Sequence, residues 1–172
     1  MWKHFERSVL VSKLLWGRDG TAHRAIPDDS SSVPEGFQGD AYICVKSQAK
    51  YASAVRGLLS AVCADTRLTE RDTEELKLAV GEAVCNAMKH GSPHGGDDYV
   101  RVAFAARPDG LTVTVSDGGG NLHLDQCKKR RVPLSEGGYG LLLMRRLTNR
   151  VEIHSTTCGT TVTMEKRYPA LA

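Results

Sequence analysis

The sequence of 172 residues has no apolar run near the roughly 20 positions that a helical membrane span needs. The best candidate, Ser8 to Gly17, is short and broken by Lys13, and no small-residue cleavage site follows it. Neither a transmembrane segment nor a secretory signal is expected. CxxC pairs are also missing. The 5 cysteines (Cys44, Cys63, Cys85, Cys127 and Cys158) are odd in number and widely spaced, which argues against a zinc knuckle and for reduced thiols in the cytoplasm. Charge of one sign is scarce: 23 basic against 20 acidic residues leave +3, too small a surplus for a nucleic-acid or anionic-membrane surface. No GxxxxGK[ST] occurs, which removes the commonest phosphate loop. No internal repeat or long low-complexity tract is present.

What remains is a chain able to build a core, with 41% apolar and 25% charged residues. Residues 1–39 read as an extension and linker, 40–167 as one domain and 168–172 as a tail. Within the extension, Trp2, Phe5 and Val9 suggest an amphipathic helix over Met1 to Trp16, either a packing arm or oligomer contact, or a partner- or membrane-binding helix. Pro27 to Gly36 reads as a linker. Ala41 to Lys46 is strand-like. Tyr51, Val55, Leu58, Leu59 and Val62 follow a helical period over about 48–64. Thr69 and Asp72 form a capping signal for a second helix that ends near His90, with Leu76, Val80, Ala83, Val84 and Ala87 as its buried stripe. Val100, Val102 and Phe104 alternate with polar or small residues, as do Leu111, Val113 and Val115, with a turn at Pro108 to Gly110. A helix over about 139–149 and a hairpin turned at Cys158–Gly159 complete the domain. The order predicts an α/β (α+β) two-layer sandwich: a mixed, mainly antiparallel sheet with helices on one face.

Three short stretches carry chemistry. Glu82, Asn86 and His90 recur every four residues on the second helix, away from its apolar stripe. A carboxylate and a carboxamide side by side offer oxygen ligands to a hard cation such as Mg²⁺, and the carboxylate can take a proton from an incoming hydroxyl. Asp117 ends an alternating strand and is followed at once by three glycines, so backbone can approach a ligand closely while the acid accepts a hydrogen bond from an exocyclic amine. Gly138-Tyr-Gly140 leads into an apolar helix, whose unpaired first N–H groups favour phosphate. Between these glycines lies Lys128-Lys-Arg-Arg131, either a solvated loop run or a screen for phosphates or an acidic partner. His123 and Cys127, like His90 and His94, are four apart, but nothing completes a zinc set.

In this order, Glu82-Ala-Val-Cys-Asn86-Ala-Met-Lys-His90-Gly91, Asp117-Gly-Gly119, Gly138-Tyr-Gly140 and Gly159-Thr160-Thr161 resemble the N, G1 and G2 boxes of the GHKL ATPase superfamily. The form of the first is similar to the bacterial anti-sigma-factor serine/threonine kinases, and the resemblance covers about residues 40–167. It implies a histidine-kinase-like ATPase fold and ATP with Mg²⁺ as cofactors. Asn86 would hold the metal and Glu82 would act as general base toward a protein hydroxyl. Asp117 would read the adenine amino group, supported by Thr160 or Thr161. Gly119, Gly138 and Gly140 would shape the pocket and its lid over 122–135, and His90 would lie near the phosphates or be structural.

The resemblance further implies a cytoplasmic homodimer that sequesters a sigma factor and phosphorylates a STAS-domain anti-sigma antagonist, without contacting nucleic acid. Asn121 and Glu136 stand where the family has a glycine and, close by, an arginine. They favour the alternative of a degenerate module that works by partner binding without phosphoryl transfer. A two-component sensor kinase is disfavoured, because no helical hairpin with a phosphoacceptor histidine precedes residue 40.

Overall fold

Among the described residues, alternation of apolar and polar side chains builds six strands of one sheet, and 3.6-residue periodicity builds three α-helices that cover one face of it. The computed structural model describes residues 9–13, 39–118, 139–156 and 159–170. In chain order the elements are β1 (Val9–Lys13), β2 (Ala41–Lys46), α1 (Ala52–Ala64, entered through a 3-10 turn at Ala49–Tyr51), α2 (Glu70–His90), β3 (Tyr99–Arg107), β4 (Gly110–Asp117), α3 (Tyr139–Leu147), β5 (Arg150–Thr156) and β6 (Gly159–Arg167). The sheet order is β1-β2-β3-β4-β6-β5. Every ladder is antiparallel, the main character expected from the sequence. The β2 to β3 connection contains two helices, which return the chain to the end it left and so permit antiparallel neighbours.

One expectation is corrected. Val9–Lys13 is not helical but pairs with β2, Val9 opposite Val45 and Lys13 opposite Ala41. The β2 edge would otherwise present unpaired N–H and C=O groups, and the Val-Leu-Val run suits a pleated strand. The rest of the helix drawn over Met1 to Trp16, the linker over Pro27 to Gly36 and the lid segment 122–135 lie outside the described residues.

Register sets the core. Ile43, Val102, Val115, Val162 and Ile153 form one row across the inner face of the sheet, and Ala41, Phe104, Val113, Met164 and Val151 form the next. Leu76, Ala79, Val80, Ala83, Val84 and Ala87 of α2 and Val55 and Leu59 of α1 pack on them. By the same alternation, a charged residue occupies the inner face at each end. At one end Asp117 stands opposite Val100, continuing the line of Val113 and Val115. At the other end Lys166 stands opposite Leu111.

Lys166 is almost buried and fully engaged. Its Nζ donates to Glu75 Oε2 at 2.6 Å and to the Leu147 carbonyl at 3.0 Å, and lies 3.3 Å from Asp72 Oδ1. The Lys166 ammonium, and then the Arg71 guanidinium, hold the Glu75 carboxyl below the usual carboxylate range. This cluster ties β6 to the first turns of α2 and the last turn of α3. Because Gly140, at the start of α3, lies against Glu82 while Leu147, at its end, shares Lys166 with Glu75, α3 runs antiparallel to α2.

The α2 helix starts at the capping box that the sequence announces. Asp72 N–H donates to Thr69 Oγ1 at 3.1 Å, and Thr69 N–H donates to Asp72 Oδ2 at 3.2 Å. Replacing Thr69 with Ala removes an acceptor for an otherwise unpaired helix N–H, and is expected to lower stability by about 1 kcal/mol. Urea unfolding checks this; an unchanged midpoint would show that the Lys166 cluster alone fixes the helix start.

Candidate functional site

The outward face of α2 becomes a wall because its opposite face is committed to the sheet. Glu82 and Asn86 are half-buried on it and His90 is exposed at its end. Asn86 Nδ2 donates to Glu82 Oε1 at 3.1 Å, the i to i+4 contact that helical spacing allows. That bond uses the amide NH₂ and not the carboxamide oxygen.

A cavity of about 740 Å³ opens beside this face. Glu82, Asn86 and His90 line one side, Tyr139, Gly140 and Arg146 of α3 another, and Ile153, Thr160 and Val162 the sheet side. Its size lies within the roughly 300–1,000 Å³ of small-molecule sites. The first turn of α3 reaches it through Gly140, where a Cβ would collide with the Glu82 carboxylate. Absence of a side chain there lets a helix start, with its unpaired N–H groups, lie directly against the acid's helix.

Asp117 lies one hydrogen bond beyond the cavity wall. Thr160 N–H donates to Asp117 Oδ1 at 2.7 Å. Burial on the inner face pushes the Asp117 carboxyl up to about 6, with the Thr160 N–H acting in the opposite direction. Gly159 makes the turn into β6 at φ 136°, a conformation that L side chains rarely adopt, and a Cβ there would strike the Asp117 backbone oxygen. Thr160 lines the cavity, whereas Thr161 Oγ1 lies on the opposite sheet face, 3.1 Å from Ser116 Oγ.

The fold therefore brings Glu82, Asn86, His90, Gly140 and Thr160 to one cavity, with Asp117 just behind it. Gly119 and Gly138, with Asn121, His123, Cys127, Lys128 to Arg131 and Glu136, lie outside the described residues. Two lining residues and one neighbour of the lining were missed in the sequence. Tyr139 and Arg146 belong to a helix whose apolar run drew attention to its core face alone. Ser155, whose Oγ lies 3.2 Å from Thr160 Oγ1, becomes a neighbour only through β5–β6 register. Among the described residues no three His, Cys, Asp or Glu gather to hold a metal. The donor set of one carboxamide and one carboxylate instead suits Mg²⁺, which retains waters and takes most protein-independent ligands from substrate phosphates.

Residues 45–166 match the Histidine kinase-like ATPase domain. The chain is 36% identical over 131 residues to the Serine-protein kinase RsbW of Bacillus velezensis, covering 71% of this chain and 81% of that protein. It is 34% identical over 131 residues to the protein of the same name in Bacillus subtilis, with the same coverage of 71% and 81%. In three dimensions it is similar to the RsbU and RsbW domains of Rv1364c from Mycobacterium tuberculosis, with a TM-score of 0.53 and 22% identity over 76% of this chain and 33% of that one. That last likeness concerns the fold.

The raised Asp117 value has a thermodynamic consequence. Its folded pKa, about 6, exceeds the ordinary 3.8, so the native state holds the proton more tightly than the unfolded state. Its contribution to stability is therefore full below pH 3.8 and is lost as pH rises through about 6. Denaturant unfolding between pH 4 and 7 is expected to show this decline, and Asp117→Asn to flatten it; parallel slopes would contradict the assignment.

Proposed function

The chain belongs to the histidine kinase-like ATPase family, in its serine-protein kinase branch, and on that premise we propose that it is an ATP-dependent protein serine/threonine kinase and anti-sigma factor. The observation that carries this reading is the Glu82–Asn86 pair on α2, which with the adjoining first turn of α3 lines a cavity of nucleotide size. Its substrate is a serine or threonine hydroxyl on a STAS-domain antagonist, and its other partner is a sigma factor, which it sequesters. It acts as a homodimer in the cytoplasm. No helix among the described residues is long and apolar enough to cross a membrane.

The residues divide the work. Asp117 accepts a hydrogen bond from the adenine amino group, and Thr160 holds that carboxyl in place while lining the cavity. The opening N–H groups of α3 face the phosphates. Asn86 offers its carboxamide oxygen to Mg²⁺, which when bound neutralises phosphate charge. His90, at the exposed end of the same face, lies within reach of the phosphate tail. Glu82, steadied by the Asn86 amide, receives the proton of the incoming hydroxyl. The oxygen of that hydroxyl forms a bond to the γ-phosphorus, the bond from that phosphorus to the β–γ bridging oxygen breaks, and ADP leaves with the electron pair. Catalysis here is mainly positioning and charge neutralisation.

The partner logic follows from competition. A sigma factor and an antagonist that prefer different nucleotide states shift the same equilibrium in opposite directions. Asn121 and Glu136 favour a second reading, a module that holds nucleotide and partner without transferring phosphate.

Labelled ATP with a STAS-domain antagonist separates the two. Phosphoserine or phosphothreonine formation that Glu82→Ala reduces by roughly 100-fold or more, with nucleotide binding retained, is the expected outcome. Partner binding without any transfer by the wild type supports the module. Asn86→Ala is expected to lose the Mg²⁺ dependence of ATP binding, and an unchanged response would remove Asn86 from the metal site.

A further inference from the structure

Resting on the reading of Asp117 as the adenine contact, we propose that Gly91 is a positioning residue that sets base specificity, because its missing side chain provides the space that holds the Asp117 carboxyl. Gly91 follows the last turn of α2 with φ −96° and ψ 11°, which any residue can adopt. Backbone conformation therefore does not call for glycine there; room does. A Cβ on Gly91 would collide with Asp117 Cγ and Oδ2 and would stand 2.5 Å from Asp117 Cβ. Turning the carboxyl cannot clear that last contact, since Asp117 Cβ is fixed to a strand whose register is set by pairing with Val100.

The two carboxyl oxygens have different surroundings. Oδ1 accepts the Thr160 N–H at 2.7 Å, and a Cβ on Gly159 would stand 3.0 Å from it. Oδ2 faces Gly91, accepts no hydrogen bond from the described residues, and is the oxygen that would accept one from a ligand amine. The carboxyl thus lies between two stretches of bare backbone that are far apart in the chain.

Gly91 is itself fixed. Its N–H donates to the Ala87 carbonyl at 2.9 Å. The next residue, Ser92, donates from Oγ to the same carbonyl at 3.3 Å, and its Oγ lies 2.5 Å from Ser47 Oγ. Ser47, just past the end of β2, donates to the Met88 carbonyl at 3.3 Å. Two serines thus donate to carbonyls in the last turn of α2, Ser92 to Ala87 beside the Gly91 N–H and Ser47 to Met88, and tie that end to the sheet. The line Ser47, Ser92, Gly91, Asp117 connects the helix that carries Glu82 and Asn86 to the group that reads the base. A shift of the α2 terminus toward β4 would press Gly91 on the Asp117 carboxyl and turn Oδ2 from the amine that is to donate to it.

The test pairs a protein variant with a ligand variant. Dissociation constants are measured calorimetrically for ATP and for purine riboside triphosphate, which lacks the exocyclic amine. The wild type is expected to favour ATP by about tenfold, the effect of one hydrogen bond to a charged acceptor. In Gly91→Ala that preference is expected to fall to within about twofold of unity, while affinity for the amine-free nucleotide changes little. Equal weakening of both nucleotides, the signature of a merely structural role, or an undiminished preference would overturn the proposal. Should Gly91→Ala not fold, Ser92→Ala carries the test, with a partial loss of preference expected and an unchanged one contradicting it. A wild type that binds both nucleotides alike instead overturns the assignment of Asp117 and the proposal with it, whereas a wild type that binds neither overturns the nucleotide site as a whole.

Discussion

The whole arrangement depends on α2 having two faces that cannot exchange. Its small and branched residues, Leu76, Ala79, Val80, Ala83, Val84 and Ala87, are buried against the sheet. That burial is the main stabilising term available to a helix in a domain of this size. Once it is satisfied, Glu82, Asn86 and His90 have only one direction in which to point. The site is thus a consequence of packing rather than an addition to it. A helix of 21 residues is about 30 Å long, enough to span the sheet from one charged end to the other.

Those two ends show how similar positions serve different purposes. Lys166 and Asp117 both occupy inner-face positions where alternation calls for an apolar side chain. Lys166 has two carboxylates and a carbonyl around its ammonium, and so it locks α2, α3 and β6 together. Asp117 is held by the Thr160 N–H, and burial raises its pKa. A buried charge with saturated partners stabilises geometry, whereas a half-buried acid with an oxygen unbonded to the described residues is poised to bind. The lock at one end keeps α3 in register with α2, which in turn keeps Gly140 beside Glu82 at the cavity.

Much of this was legible in the sequence because it is local. The Thr69–Asp72 cap and the apolar stripe fixed the bounds of α2, and the Leu111–Val113–Val115 alternation fixed β4 and the face on which Asp117 sits. The i to i+4 spacing of Glu82 and Asn86 was enough to foresee their contact. What was illegible depends on distant partners. Val9–Lys13 is a strand because β2 offers an edge, which a helical reading of Trp2, Phe5 and Val9 does not weigh. Lys166 and Glu75 meet across 91 positions. The role of Gly91 was hidden for the same reason, because a glycine after a helix reads as a stop signal until the strand it faces is known.

The central claim is that one face of α2, the start of α3 and the end of β4 enclose a single magnesium nucleotide. Titration calorimetry with a non-hydrolysable ATP analogue tests it most directly. The account predicts a saturable one-site isotherm in the presence of Mg²⁺ that weakens sharply when the metal is chelated. An absence of heat under every divalent-ion condition, with the protein folded, would contradict it.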